Sequence, residues 1–169
     1  YKDKRIKTAA EQSLDVIARN AGITRDELDD ILVPDFGFGQ DRIRLFDYGE
    51  RKIKVKLDVM SIPAKITAYD ENEKILKGLP KASKKFNDVE SIVEEYRREI
   101  KHIRKLLKEI TVSQANSLLN ALFLERKWQV KKWIETFIHN PVMQTFAIQL
   151  IWKETDENDR LIKTFRYTE

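Results

Sequence analysis

The spacing of apolar residues changes along this chain, and each change marks a new element. Between Lys4 and Ala21, Ala10, Leu14, Ile17 and Ala18 recur at helical intervals, and Gly22 stands where a left-handed residue would end the helix. In TRDELDDIL, Thr24 and Glu27 have the spacing of a capping box, and Asp26 with Glu27 puts negative charge at the positive end of the helix dipole. Beyond Pro34 the period becomes two. Ile53, Val55, Leu57 and Val59 alternate with Lys52, Lys54, Lys56 and Asp58, which predicts a half-buried antiparallel strand. Before it, Ile43 and Leu45 alternate with Arg42 and Arg44; after it, Ile66 and Ala68 alternate with Lys65, Thr67 and Tyr69. The three strands predict a small antiparallel meander.

Two segments, AYDENEKILKGL from Ala68 and ETDENDRLIKTF from Glu154, share their turn residues and predict two hairpins. An Asp opens each turn, and Asn72 or Asn158 is the residue expected at positive φ. Shared turn chemistry accounts for the likeness more simply than duplication. A calcium loop would need alternating ligands and a central glycine, which neither segment has.

From Asp88, an expected N-cap, the period is helical again. Val89, Ile92, Tyr96, Ile100, Ile103, Leu107 and Ile110 form a seam, with early glutamates and late cations in the order the dipole favours. The β-branched stretch ITVS is expected to break or bend this helix before a second amphipathic run, Leu118 to Leu124. A shorter helix, Val130 to Ile138, follows. Asn140 and Pro141 read as an N-cap and first helical residue of a last helix, which leads to the closing hairpin. The expectation is one α+β domain: a helical lead-in over 1–33, a meander over 34–85, helices over 86–149 and a closing hairpin over 150–169.

Composition narrows the chemistry. Charged residues make up 36% of the chain and hydrophobic ones 41%, with a net charge of +4. The cationic surplus is small on a heavily charged surface, so it points only weakly to a polyanion. The absence of cysteine removes disulfides, thiolate nucleophiles and sulfur-based zinc sites, and fits a reducing, cytoplasmic setting. No apolar run reaches the length of a bilayer span, so a membrane is not an expected partner. The start at YKDKRIKT without Met, and the end at FRYTE inside an expected strand, read as a segment of a longer protein.

The glycine-spaced stretch ILVPDFGFGQDRIRLF does not have the form of a phosphate loop. Such a loop hands over to a helix whose N–H groups meet the anion, whereas Gly37 and Gly39 lead into a strand. Pro34 ends a helix, Phe36 and Phe38 pin the loop, and the glycines allow the sharp entry to the meander. The two histidines, His102 and His139, read as a solvated helix residue and a residue at the negative end of a helix dipole. No G-x-S-x-G elbow accompanies them. The acidic group Asp26, Glu27, Asp29 and Asp30 is explained by its place at a helix start. No catalytic, cofactor-binding or metal-ligating residue is assigned, and no cofactor is expected.

Two basic features remain. Arg42, Arg44, Lys52, Lys54, Lys56 and Lys65 would form one positive sheet face if all pointed outward, although exposed strand lysines also guard against edge pairing. In RKWQVKKW, Arg126 and Trp128 offer a cation beside an aromatic ring, a combination that stacks on bases while neutralising phosphate. Trp133 falls on the apolar face of its helix with Ile134, Phe137 and Ile138 and is expected in the core; Trp128 lies outside that register.

Taken in order, VPDFGFG, the DYG of Asp47 to Gly49, Lys56-Leu57-Asp58, YDENEKILKGLPK, the Gln114 helix, Arg126 with Trp128, and Leu150-Ile151-Trp152 followed by Phe165-Arg166 resemble the conserved domain of unknown function of bacterial MolR-like proteins, named for a molybdate metabolism regulator. The resemblance runs from about Leu14 to near the end. It departs from the family pattern where Asn140, rather than histidine, precedes Pro141, with His139 one position earlier. It implies a long bacterial protein in which helical repeats or a WGR module accompany this domain, and it supplies no catalytic residues. The leading expectation is therefore a non-catalytic scaffold or interaction domain that meets other segments of the same protein. The alternatives are a nucleic-acid-associated module using the basic sheet face and, third, part of an enzyme whose site lies largely outside this segment.

Overall fold

The computed structural model describes residues 2–168. The chain forms two compact units that divide between Val33 and Pro34.

The first unit pairs α1 (Lys2–Asn20) with α2 (Arg25–Ile31). Gly22, at φ 67°, ends α1: its N–H reaches the Arg19 carbonyl at 3.1 Å, and the Ile23 N–H reaches Ala18 at 3.0 Å, the bonding of a Schellman motif. The capping box opens α2. Glu27 N–H donates to Thr24 Oγ1 at 3.1 Å, and Thr24 N–H donates to the Glu27 carboxylate at 2.8 Å. Arg25 ties the helices together, donating to Asp29 at 2.9 Å and to Asp15 at 3.0 Å. Glu27 thus holds the helix start, and Arg25, also held by Asp29, links α2 to Asp15 of α1. Thr24→Ala should destabilise α2 by about 1 kcal/mol. Amide exchange within Arg25–Ile31 should then quicken about fivefold, and unchanged exchange would mean the cap contributes nothing.

The second unit is built on a four-stranded antiparallel sheet in the order β1 (Ile43–Asp47), β2 (Lys52–Asp58), β3 (Lys65–Tyr69), β4 (Ile75–Leu76). The expected α+β architecture holds. Phe46, Ile53, Val55, Leu57, Ile66 and Ala68 are buried on one face. Across them lies α3 (Glu90–Phe123), which contributes Val93, Ile100, Ile103 and Leu107 to the core. Contacts from Phe46 to Tyr96, with ring centroids 5.0 Å apart, and from Ala64 N–H to Thr111 Oγ1 at 3.3 Å fix that packing.

Two expectations about α3 are corrected. ITVS does not end the helix, which runs without interruption for 34 residues. The reason lies at Thr111, fully buried, whose hydroxyl donates to the Leu107 carbonyl at 2.7 Å and is satisfied within the helix. Asp88 is not the N-cap either; Val89 holds that position and no side chain caps it. The seam accordingly begins at Val93, fully buried, while Val89 and Ile92 are 44% and 37% exposed.

Past α3 come α4 (Val130–Trp133), a π-helical turn (Ile134–Ile138), α5 (Gln144–Gln149) and a hairpin of β5 (Trp152–Thr155) and β6 (Leu161–Phe165). Asn140 and Pro141 do not open the last helix as expected: α5 has Met143 at its N-cap with no side-chain cap, and Asn140 Oδ1 instead closes the turn before it, accepting from the N–H groups of Val142 at 2.9 Å and Met143 at 3.2 Å. The hairpin is held by an aromatic cluster. Phe137, fully buried, lies 5.5 Å from Trp128, 6.1 Å from Trp133 and 4.8 Å from Trp152, and Trp133 also packs on Phe165 at 5.6 Å.

The two echoing turns fold alike. Asp70 Oδ1 accepts from Asn72 and Lys74 N–H, each at 2.9 Å, and Asp156 Oδ1 accepts from Asn158 and Arg160 N–H at 2.8 and 2.9 Å. Positive φ falls one residue later than expected, on Glu73 (58°) and Asp159 (62°) rather than on the asparagines. The physical reason is that each asparagine N–H is held by the turn-opening Asp, so the chain completes its reversal at the next residue. Both of these residues form ion pairs, Glu73 with Lys54 and Asp159 with Lys127. Among the described residues no helix is long and apolar enough to cross a membrane.

Candidate functional site

Strand register decides which cations share the outer sheet face. Paired residues of neighbouring strands point to the same side. Arg44 pairs with Val55 and Phe46 with Ile53, so Arg44 lies on the buried face, while Ile43 and Leu45 pair with Lys56 and Lys54 on the outer one. The expected facing of β1 is therefore reversed. Phe46, only 1% exposed, takes the core position, and Arg44 on the same side is accommodated by a partner set. Its guanidinium meets Glu99 of α3 at 2.7 Å, donates to the Phe36 carbonyl at 2.8 Å and lies 4.6 Å over the Phe46 ring. Arg42 precedes the strand, at φ 62°, and reaches Gln144 of α5 at 3.4 Å. Neither arginine joins the lysine face.

Lys52, Lys54, Lys56 and Lys65 do share that face. Carboxylates stand among them: Asp47 lies 3.9 Å from Lys52, Glu73 pairs with Lys54, and Asp58 sits opposite Lys65 in the register. Four lysines against three carboxylates leave one net positive charge. Lys54 also lies 5.7 Å over the Tyr69 ring. The face is mixed in sign, the pattern of a solvated sheet surface.

Arg126 and Trp128 do come together, with the guanidinium 4.6 Å over the indole. Yet the ring is engaged at its edge by Phe137 and Trp152, at 5.5 and 6.0 Å. The pair closes one side of the aromatic cluster, with Trp128 half-buried rather than presented as a flat stacking platform.

The glycine loop is held by its own polar groups. Gly37, at φ 72°, donates its N–H to Asp35 Oδ1 at 2.7 Å, Phe38 N–H reaches the Asp35 carbonyl at 3.1 Å, and Ile43 N–H reaches Asp41 Oδ1 at 3.0 Å. These N–H groups, which a phosphate cradle would turn toward its ligand, satisfy aspartates of the loop itself. Phe38 is buried, as its role as a pin requires.

The most constrained ionic group escaped the sequence. Arg51 and Asp88 form a two-pronged pair, Nε to Oδ1 at 3.0 Å and Nη2 to Oδ2 at 2.5 Å, and Ser83 N–H adds a bond to Oδ2 at 2.8 Å. The Asp88 side chain is fully buried. The Arg51 hydrogen bonds hold its carboxyl below the usual range despite burial. Arg51 also lies 4.6 Å over the Phe86 ring and 5.3 Å from that of Tyr48. Tyr48, fully buried, donates its hydroxyl to the Pro80 carbonyl at 3.1 Å, and burial pushes its pKa up to about 12. This cluster clamps the 80–88 connection to the sheet. Spacing gives no signal for it, because the partners lie 37 residues apart.

His102 is exposed, as expected, and His139, at the C-cap of the π-helical turn as its reading at a helix end implied, is exposed as well. No cluster of three or more metal-ligating side chains occurs among the described residues. Sequence reasoning also passed over the exposed apolar end of α3, where Leu119, Leu122, Phe123 and the C-cap residue Leu124 are 52 to 76% exposed.

Residues 74–169, from the start of the first hairpin return through β6, match a family model described as "Domain of unknown function (DUF4132)". Over 167 residues the chain is 26% identical to "Uncharacterized protein YehI" of Escherichia coli (strain K12). That alignment takes in 98% of this chain and 13% of the relative, so the chain spans only a small part of the relative's length. No solved structure matches the chain.

Proposed function

Since the chain belongs to the DUF4132 family, whose function is unknown, we propose that it serves as a non-catalytic scaffold or interaction domain within a large bacterial regulatory protein of the MolR-like kind, working in the cytoplasm. Its two units would act there as one α+β domain with residues 1–33 as helical lead-in. The observation that carries this reading is where the polar groups go. The strongest cations and carboxylates, Arg44 with Glu99 and Arg51 with Asp88, join the elements of the fold. The alignment of nearly the whole chain with 13% of a much longer relative supports the role of a segment.

Removing residues 1–169 from the longer polypeptide tests it. The scaffold reading expects the remainder to lose a protease-resistant assembly, while the isolated segment turns over nothing in a substrate panel. Turnover by the segment, or an unaltered remainder, would overturn it.

The nucleic-acid alternative separates from this reading by salt dependence. The mixed charge of the lysine face predicts weak binding to generic duplex DNA. Changing Lys52, Lys54 and Lys56 to Gln should alter the slope of log affinity against log salt by less than about one unit, because few phosphates are neutralised. Flattening by roughly 2 to 3 units, measured by polarisation titration, would favour nucleic acid instead.

A further inference from the structure

We infer that the outward ridge of α3 is the seat of a second long helix, supplied by the same longer polypeptide, with carboxylates toward one end and apolar side chains toward the other. The inference rests on the preceding reading of this chain as a segment. Arg98, Lys101, Lys105 and Lys108 recur at spacings of three and four opposite the buried seam, and all are exposed. Among the described residues no carboxylate forms an ion pair with any of them, in contrast to Lys52 and Lys54 of the sheet. The same stripe continues through Val112, Leu119 and Phe123, exposed by 42, 52 and 76%, and Leu122 and Leu124 stand beside it at 73 and 74%.

A cationic block followed by an apolar block, on one straight ridge roughly 38 Å long at 1.5 Å per residue, defines its occupant. A nucleic acid would answer the cations and leave the leucines and phenylalanine in water. A second copy fails for a different reason. Two α3 ridges related by a two-fold axis bring their apolar ends together only with both cationic blocks unpaired; sliding them until Glu94 and Glu95 meet the cations uncovers the apolar ends. An acidic-then-apolar helix answers both blocks at once by ridge-into-groove packing. Its source follows from length: this chain corresponds to 13% of the relative, so most of that polypeptide lies outside it. An exposed apolar patch of this kind is unusual on a free monomer, and a tethered partner needs only modest affinity to stay docked.

The test uses the full-length polypeptide with cysteine introduced singly as Lys105→Cys, Phe123→Cys or Glu157→Cys, the last at an exposed hairpin tip. Maleimide labelling, read peptide by peptide by mass spectrometry, should run about tenfold slower at 105 and 123 than at 157. Adding Lys101→Glu and Lys108→Glu should speed labelling at 123 several-fold, because like charges then face the docked carboxylates. Zero-length carboxyl–amine crosslinking should join Lys101 or Lys108 to acidic residues outside 1–169 in the same molecule. Equal labelling at all three positions overturns the inference, as do crosslinks only between copies or to a separate protein, or protection that appears only with DNA present. If deletion of the segment leaves the remainder unaltered, the scaffold reading falls; if deletion matters but 105 and 123 label as fast as 157, only the docked helix does.

Discussion

Replacing Phe137 with alanine should destabilise the second unit by about 3 to 5 kcal/mol and detach the closing hairpin from the helices behind it. The ring is fully buried and touches Trp128, Trp133 and Trp152, which are the three tryptophans of the chain. Its removal opens a cavity at the centre of a cluster whose edge-to-face contacts add to simple burial. Since β5 and β6 form a separate two-stranded sheet, they have no other sheet to lean on. Tryptophan fluorescence is a direct readout: emission should shift to the red and the urea midpoint should fall. A variant that keeps both the wild-type emission maximum and its midpoint would show that the cluster is not the anchor of the hairpin.

Asp88→Asn should cost about 3 kcal/mol at neutral pH, because it leaves the Arg51 guanidinium without its counter-charge in a buried setting. Changing both residues to apolar ones, Arg51→Met with Asp88→Leu, should be less damaging than Asp88→Asn alone, since no orphaned charge remains. The pH dependence follows from the lowered pKa of Asp88. A carboxyl that titrates lower in the folded chain than in the unfolded one stabilises fully above its ordinary value near 4, and this contribution is lost as the pH falls through the folded value. The gap between wild type and Asp88→Asn in urea midpoint should therefore be widest at neutral pH and close below about pH 4. A gap that stays constant into acid would assign the loss to packing. At the other extreme, Tyr48 has its pKa raised to about 12, so its contribution is complete below the ordinary phenol value and fades as the pH climbs toward 12.

What the sequence made legible was local. The Thr24 box, the Gly22 stop and the alternation of β2 depend on residues within a few positions of each other, and they stand as expected. What it concealed depended on distant partners. RIRLF alternates equally well in two facings, and the choice fell to Phe46, which needs the core, with Glu99 in α3 available to receive Arg44. A weighting of aromatic bulk over the aliphatic pair would have found it. Asp88 had the form of a helix cap until Arg51, from the β1–β2 turn, took its carboxylate. The candidate lysine face was visible in β2, but the carboxylates set among the lysines follow only from strand pairing and from the turn that places Glu73.

The twin turns have a consequence in time. Each is closed by bonds from one aspartate to N–H groups two and four residues on, with no distant partner needed to hold the reversal. Contacts of that reach form during the microsecond phase in which hairpins appear, well ahead of any step that must bring Arg51 to Asp88 or Arg44 to Glu99 across a long loop. The expected order is that the two local reversals form ahead of the long-range pairs Arg51–Asp88 and Arg44–Glu99.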